Sequence, residues 1–432
     1  MSLFKNSTKL YQNRLKNILS WIKSGQFDTF WQAIKDQFWI KTSPIRRLVR
    51  KYFFTKRRNR KYLLILIEKF FGYQKEPSTD QLEIALILLD GTTHPKSSAF
   101  IRLMCPLLEE TLKKSCHFTL YDQDASTLRP NTHICIVQRT AYNNEASAKK
   151  ILRFLNKNSI PLVIDNDDAF HVIDKSHPEH SVQSGRLRAL NKLVPAAKQI
   201  WLSVPALVET YTIATGKVTV LPNTLDLQLW DTRKNRNAIP TSPNAPLKMI
   251  YMGTATHDAD MAMLLPTLQI LADKYPGSFT LTVIGVAADL PELPWLERIY
   301  QPRNGSIYPN FVTWFLEQGP FDVGLSPLVD SAFNRGKSDI KCLDYIAAGL
   351  LPIVSDVLPY QSKELDDFIV RVKNDPNAWQ ETLEEFIKLP MQTREYVEDK
   401  IQKGQQYIRR ERSSVHAARK MEVLLQELVK KN

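Results

Sequence analysis

Two lysines four residues apart, Lys337 and Lys341, stand inside the segment FDVGLSPLVDSAFNRGKSDIKCLDYIAAGLLPIVS (321–355), whose order reads as strand, basic loop, helix and second strand. The apolar run FDVGLSP ends at Pro327, and Ser338 is placed to open the helix. Free N–H groups and the dipole at a helix start favour negative charge. Two ammonium groups beside that start could reach a diphosphate, and Asp344, further along the helix, could accept hydrogen bonds from a ribose diol. These are the parts of a nucleotide-sugar site. The competing reading makes the lysines surface cations and Asp344 a solvated helical residue.

The form F-x-x-x-K-S-x-x-K-x-L-D-Y-x-A-x-G-x-x-P-x-V-S, spanning Phe333 to Ser355, resembles the donor-binding segment of bacterial glycosyltransferase family 4. MIYMGTATHDAD (249–260) is similar to that family's Gly-Thr loop at the start of its second domain, and VLPNTLD (220–226) to its interdomain link. SSAFIRLMCPL, ICIVQR, PLVIDNDDAF and IWLSVPALVETY are similar to parts of its first domain. The resemblance runs from about Leu82 to Val372 and implies the GT-B fold, an α/β architecture of two facing Rossmann-like doubly wound domains. It also implies hexosyl transfer from a nucleoside-diphosphate sugar, with retention of configuration. One departure stands out. The family often carries a Glu eight positions before the acidic residue that contacts the donor ribose; here Asp344 holds the second position and Gly336 the first.

Composition fits two domains: 432 residues with 43% apolar content can bury two cores. Cys105, Cys116, Cys135 and Cys342 have neither metal-ligand spacing nor a paired look, which reads as reduced thiols in a cytosolic chain. The N-terminus lacks a signal-peptide pattern, and no apolar run approaches the roughly 20 residues needed to span a bilayer.

Charge is uneven. Residues 1–76 hold 18 Lys and Arg against 4 Asp and Glu, leaving 40 against 41 for the remainder. The apolar residues of this stretch fall at helical spacing, with Phe27, Phe30, Trp31, Ile34 and Phe38 as one stripe, and KRRNRK (56–61) follows. A basic amphipathic module of this kind suits an anionic membrane surface, and a peripheral position on the cytoplasmic face of the membrane is the expectation. It could instead be a helical subdomain with solvated cations. No nucleic acid is expected, since no helix-turn-helix, RNP-type or zinc-finger pattern accompanies the charge.

From residue 77 onward, short apolar runs at 83–90, 118–122, 133–138, 161–165, 200–204 and 217–222 read as buried parallel strands. Helices are predicted over 97–114, 145–157, 183–195 and 205–214. The pattern restarts after a Pro- and Asn-rich stretch. The domain reading is 1–76 basic helical module, 77–235 acceptor domain, 236–389 nucleotide-sugar donor domain and 390–432 helices crossing back to the first domain.

Ligands of doubly wound sheets bind beyond the carboxyl ends of the strands. There, Gly253 and Thr254, with His257 beyond them, could let backbone approach phosphate, or could form a plain turn capped by Thr256 or Asp258. Alongside Ser338 and Asp344 they make the donor-binding set. On the facing domain, His94 and Arg102 are candidates to hold an acceptor. Asp167 or Asp168 could position or partly deprotonate an acceptor hydroxyl, with Asp168 as a helix cap the alternative. The family commonly has a histidine where simple alignment places Asp167, so that role is not carried over. With Lys337 and Lys341, the two aspartates form the candidate catalytic set.

The D-x-D spellings at 165–167 and 258–260 are discounted as a metal site: lysines and a helix terminus can neutralise a leaving diphosphate without a divalent ion. No metal and no cofactor beyond the donor substrate are expected. The partners are a nucleotide sugar and a glycan or glycolipid acceptor, as in bacterial surface polysaccharide synthesis such as lipopolysaccharide or capsule. The alternatives are a non-catalytic scaffold of the same fold, with the missing Glu as its mark, and a nucleotide-sugar epimerase.

Overall fold

The computed structural model describes residues 80–88, 95–121, 123, 128–139, 141–173, 175, 180–214, 218–230, 245–253, 257–285, 291–302, 307–388 and 394–430. The chain divides into two compact units, Met1–Leu66 and Ile67–Asn432. The basic module expected over 1–76 lies outside the described residues, as do His94 and Thr254.

Two six-stranded parallel sheets organise the second unit. The first contains β1 (Leu82–Ile87), β2 (Cys116–Tyr121), β3 (Ile134–Gln138), β4 (Leu162–Asn166), β5 (Gln199–Leu202) and β6 (Val218–Val220), in the order β2-β1-β3-β4-β5-β6. The second contains β7 (Leu247–Met252), β8 (Phe279–Ile284), β9 (Leu296–Ile299), β10 (Val323–Ser326), β11 (Leu351–Ser355) and β12 (Val370–Val372), in the order β12-β11-β10-β7-β8-β9. These strands are nearly continuous apolar runs because helices cover both faces of each sheet; every residue of β3, β4 and β11 is buried. The strand order reverses direction between β1 and β3 in the first lobe and between β7 and β10 in the second. A crevice opens at such a reversal.

The helices are α1 (97–107), α2 (Glu110–Ser115), α3 (Glu145–Lys157), α4 (His180–Leu193), α5 (Asp258–Lys274), α6 (Tyr308–Leu316), α7 (Ala332–Arg335), α8 (Ile340–Ala347), α9 (Pro376–Lys388), α10 (Arg394–Glu411) and α11 (Ser414–Lys430). In α3 the side chain of Asn144 caps Ser147 N–H at 2.9 Å, and Ala148, Ile151 and Leu155 form the buried face.

Two helix predictions need correction. The span 97–114 is not one helix: it contains a π turn at Phe100–Met104 and breaks where Glu109 turns extended, φ −66° and ψ 145°. The span 205–214 is a 3-10 run opened by Pro205.

Residues 221–226 carry the chain out of the first sheet, and the turn before α11 meets them. Leu225 N–H donates to Arg412 O at 2.8 Å and Ser414 N–H to Leu225 O at 2.8 Å. From there α11 packs on α1 and α2 of the first lobe.

Candidate functional site

Strands β7 and β10 pair only through Val323 with Met249 and Gly324 with Ile250. Beyond that point the phenol of Tyr345, from α8, stands between them: it accepts from Met252 N–H at 3.1 Å and donates to Leu325 O at 3.0 Å. Its ring lies flat on Gly324, where an added Cβ would fall 2.3 Å from the ring. Gly324 is therefore required by the close approach of an aromatic ring to backbone.

Lys341 lies one turn before Tyr345 on the same helix face, so it sits at the mouth of this crevice. Its ammonium lies 4.9 Å from the centre of the Tyr251 ring. Burial pushes Lys341 down to about 8, against the opposing pull of Asp260. Lys337 lies over Phe333, 4.8 Å from the ring centre. Neither lysine forms an ion pair among the described residues.

His257 completes the group. Its Nδ1 lies 2.6 Å from Asp260 Oδ2, while Asp260 Oδ1 accepts from Val329 N–H at 2.7 Å. Burial, then the positive charges of Lys341 and Lys337, push His257 down to about 4, against the pull of Asp260. The imidazole is therefore neutral at ordinary pH, with Nδ1–H on the carboxylate and Nε2 left as an acceptor. Two cations and a neutral histidine thus converge where β7 ends. Gly253 follows that strand, and its carbonyl oxygen would lie 2.5 Å from a Cβ on Gly285, the residue after β8.

Asp344 is 9% exposed, and its Oδ1 has no hydrogen-bond partner. Burial holds its carboxyl well above the ordinary range, opposed by Lys341. An orphaned buried carboxyl oxygen is an open position for a hydroxyl donor.

The helix start differs from the sequence expectation. It opens at Ile340 with Asp339 as the capping position, not at Ser338. The Asp339 side chain makes no cap hydrogen bond there, because its carboxylate is held by both terminal nitrogens of Arg412 at 2.7 and 2.6 Å. Ser338 precedes the helix and its Oγ accepts from Asn223 Nδ2 at 2.7 Å.

In the first lobe the carboxylates are drawn together by a residue that the sequence reading missed. Arg139 directly follows β3 with φ 50°, an uncommon backbone for a non-glycine residue. Its Nε lies 3.0 Å from Asp167 Oδ1, Nη2 pairs with Asp168, Nη1 donates to Ser98 Oγ at 3.0 Å, and the guanidinium stacks 4.7 Å over Phe170. Burial pushes Asp167 up to about 6, opposed by Arg139. Asp168 makes this ion pair and does not cap the following 3-10 turn. The available signal was an arginine placed directly after the strand ICIVQ, with the DNDD run to answer it.

Arg102 corrects another expectation. Its side chain is 2% exposed and binds Asp165 through Nε and Nη2, the latter at 2.6 Å, while Nη1 donates to Leu221 O at 2.8 Å and Asn223 Oδ1 at 2.9 Å. It is enclosed in protein and does not face an acceptor. Gln138 takes the other oxygen of Asp165 at 3.0 Å.

Gly336, at the position of the absent glutamate, touches the first lobe. A Cβ there would meet Ala169 Cβ at 2.6 Å and Leu207 Cδ2 at 3.0 Å, and Phe333 packs on Phe170 with ring centres 6.4 Å apart. A glutamate has no room in this contact. Beside it a cavity of about 1000 Å³ opens between the lobes, lined by Ser203–Ala206, Lys337, Gln361, Gln406 and Tyr407 among others. Lys337 therefore faces an interlobe space.

No protein-family model and no curated protein matches the sequence. Solved structures do match. Sucrose-phosphate synthase from Thermosynechococcus elongatus superposes with TM-score 0.58 at 12% identity, covering 82% of this chain and 100% of that one. Anabaena HepE in complex with UDP and glucose gives 0.54 at 11%, covering 80% and 99%. An α,α-trehalose-phosphate synthase (UDP-forming) from Burkholderia vietnamiensis gives 0.50 at 11%, covering 71% and 72%. The fold is GT-B, with two Rossmann-like domains.

Proposed function

We propose that this chain is a glycosyltransferase that moves a hexosyl group from a nucleoside-diphosphate sugar to a hydroxyl of a lipid-linked or polysaccharide acceptor. The observation that carries the reading is the convergence of Lys337, Lys341 and neutral His257 at the β7/β10 crevice, with the orphaned carboxyl of Asp344 on the same helix. Two ammonium groups without an ion pair among the described residues suit a diphosphate, and Asp344 suits a ribose hydroxyl. The GT-B structures that the chain resembles include one holding UDP and glucose and one holding UDP-glucose, which supports a nucleotide sugar as the ligand.

Negative charge develops on the departing diphosphate as the glycosidic bond breaks. Lys337 and Lys341 stabilise it, and the cleft excludes water and aligns the acceptor hydroxyl. Asp167, held by Arg139, positions that hydroxyl. The family resemblance supports retention by same-face attack, with the leaving phosphate taking the acceptor proton. In this reading no cofactor is required, and residues 1–76 hold the enzyme to the anionic cytoplasmic face of a membrane where surface glycans are built. No helix among the described residues is long and apolar enough to cross that membrane.

A thermal-shift screen of nucleoside diphosphates and their sugars tests the assignment, because a ligand of the folded state raises the melting temperature with occupancy. Stabilisation by one nucleotide family, lost in Lys341→Ala, is the expected result. No stabilisation by any of them would overturn it.

A further inference from the structure

The segment that carries the lysines is gripped by groups from outside its own sheet. Arg412, in the turn between α10 and α11, holds Asp339 through both Nη atoms and donates from Nε to Asn223 O at 2.8 Å. Asn223, in the chain leaving the first lobe, donates from Nδ2 to Ser338 Oγ and accepts from Arg102 at Oδ1. Arg102 in turn is fixed to Asp165 and Leu221. A continuous, largely buried chain of hydrogen bonds thus runs from the first sheet, through the interdomain connection, to two consecutive residues between Lys337 and Lys341. Asn223, Asp339 and Arg412 are 4%, 8% and 8% exposed.

A planar guanidinium on a carboxylate fixes direction as well as distance, and a side-chain amide with both ends engaged cannot rotate. These two contacts are therefore suited to hold the turn 337–340 in one geometry. A bond network confined to the second lobe would not tie that geometry to the first.

We infer that Arg412 and Asn223 are positioning residues that set the two phosphate-binding lysines by clamping Ser338 and Asp339 to the interdomain connection. The inference rests on the proposed nucleotide-sugar site, but the clamp itself is measurable without a ligand. Neither residue touches the donor in this account; both act through residues 338 and 339.

Three variants test it: Asn223→Ala, Arg412→Lys and Arg412→Gln. Lysine keeps the charge but not the two-pronged geometry, so Arg412→Lys falls between wild type and Arg412→Gln. In the ligand-free proteins, amide hydrogen exchange over 337–344 is expected to quicken while β3, β4 and β8 stay protected. Calorimetric affinity for the best binder among UDP, GDP, ADP, CDP and dTDP is expected to fall about tenfold to a hundredfold, as for a misplaced binding group. Unchanged exchange over 337–344 in all three variants would overturn the clamp. Quickened exchange with unaltered affinity would also overturn it, since the contact would then be structural only. If wild type binds none of the five nucleotides, the proposed function fails instead, and exchange alone decides whether the clamp exists.

Discussion

Two basic clusters lie in the two lobes, and they differ in what answers their charge. In the first lobe Arg102 is closed onto Asp165, and Arg139 onto Asp167 and Asp168. In the second, Lys337 and Lys341 lie over aromatic rings with no ion pair among the described residues, and Asp260 is occupied by His257 and the backbone of Val329. A cation already matched by a buried carboxylate is costly to remove, because its partner is then left as an unpaired buried charge. One that burial leaves unmatched is poised for an anion from outside. Residue type alone does not distinguish these cases.

The sharpest way to break the comparison is to remove one cation from each lobe. Lys341→Ala is expected to lower turnover about 10²–10³-fold, the loss found when one transition-state charge partner is deleted, and to leave the unliganded melting temperature nearly unchanged. Arg102→Ala is expected to do the reverse in kind. It strands Asp165 unpaired in the interior and costs about 3–5 kcal/mol of stability, read from denaturant titration. Equal behaviour of the two variants in both measurements would erase the distinction between the lobes.

Gly336→Glu tests the contact that joins them. The new side chain must displace Ala169 and Leu207, so overpacking is expected to cost about 1–3 kcal/mol and to lower activity. Gained activity would show that the glycine marks a lost catalytic carboxylate.

The pH profile sharpens the comparison further. Asp167 sits at about 6 and Lys341 at about 8, so kcat/KM is expected to rise through the first value and fall through the second. Stability moves oppositely. The folded chain holds fewer protons at Lys341 than the unfolded chain between about 8 and its ordinary 10.5, so this group's contribution to stability grows with pH there. At Asp167 the folded chain holds more protons between 3.8 and about 6, so stability from that group is lost as pH rises through that window. The smallest effect is the last: treatment with EDTA is expected to leave activity intact, since the proposed site meets the diphosphate with lysines rather than a divalent ion.

The alternation of strands and helices was legible from residue 80 onward because buried parallel strands are uninterrupted apolar runs, as in ICIVQ and LPIVS. Lys341 and Asp344 were legible as neighbours because they share α8, whereas Lys337 lies in the turn before that helix. Arg102 was misread because its partner lies 63 residues away, and no local pattern says that Asp165 is buried. Arg139 escaped notice for the same reason: its role depends on a left-handed backbone turn and on two aspartates just after the next strand. The absent glutamate at 336 left a non-catalytic scaffold open as an alternative; the contact with Ala169 gives a packing reason for glycine.

The central claim, that the second lobe grips a diphosphate with its unmatched lysines, is tested most directly by a crystal structure with the nucleoside diphosphate that stabilises the protein best. The account predicts phosphate oxygens within hydrogen-bond reach of Lys337 and Lys341 Nζ, and a ribose hydroxyl on Asp344. A nucleotide bound elsewhere, with both ammonium groups untouched, would contradict it.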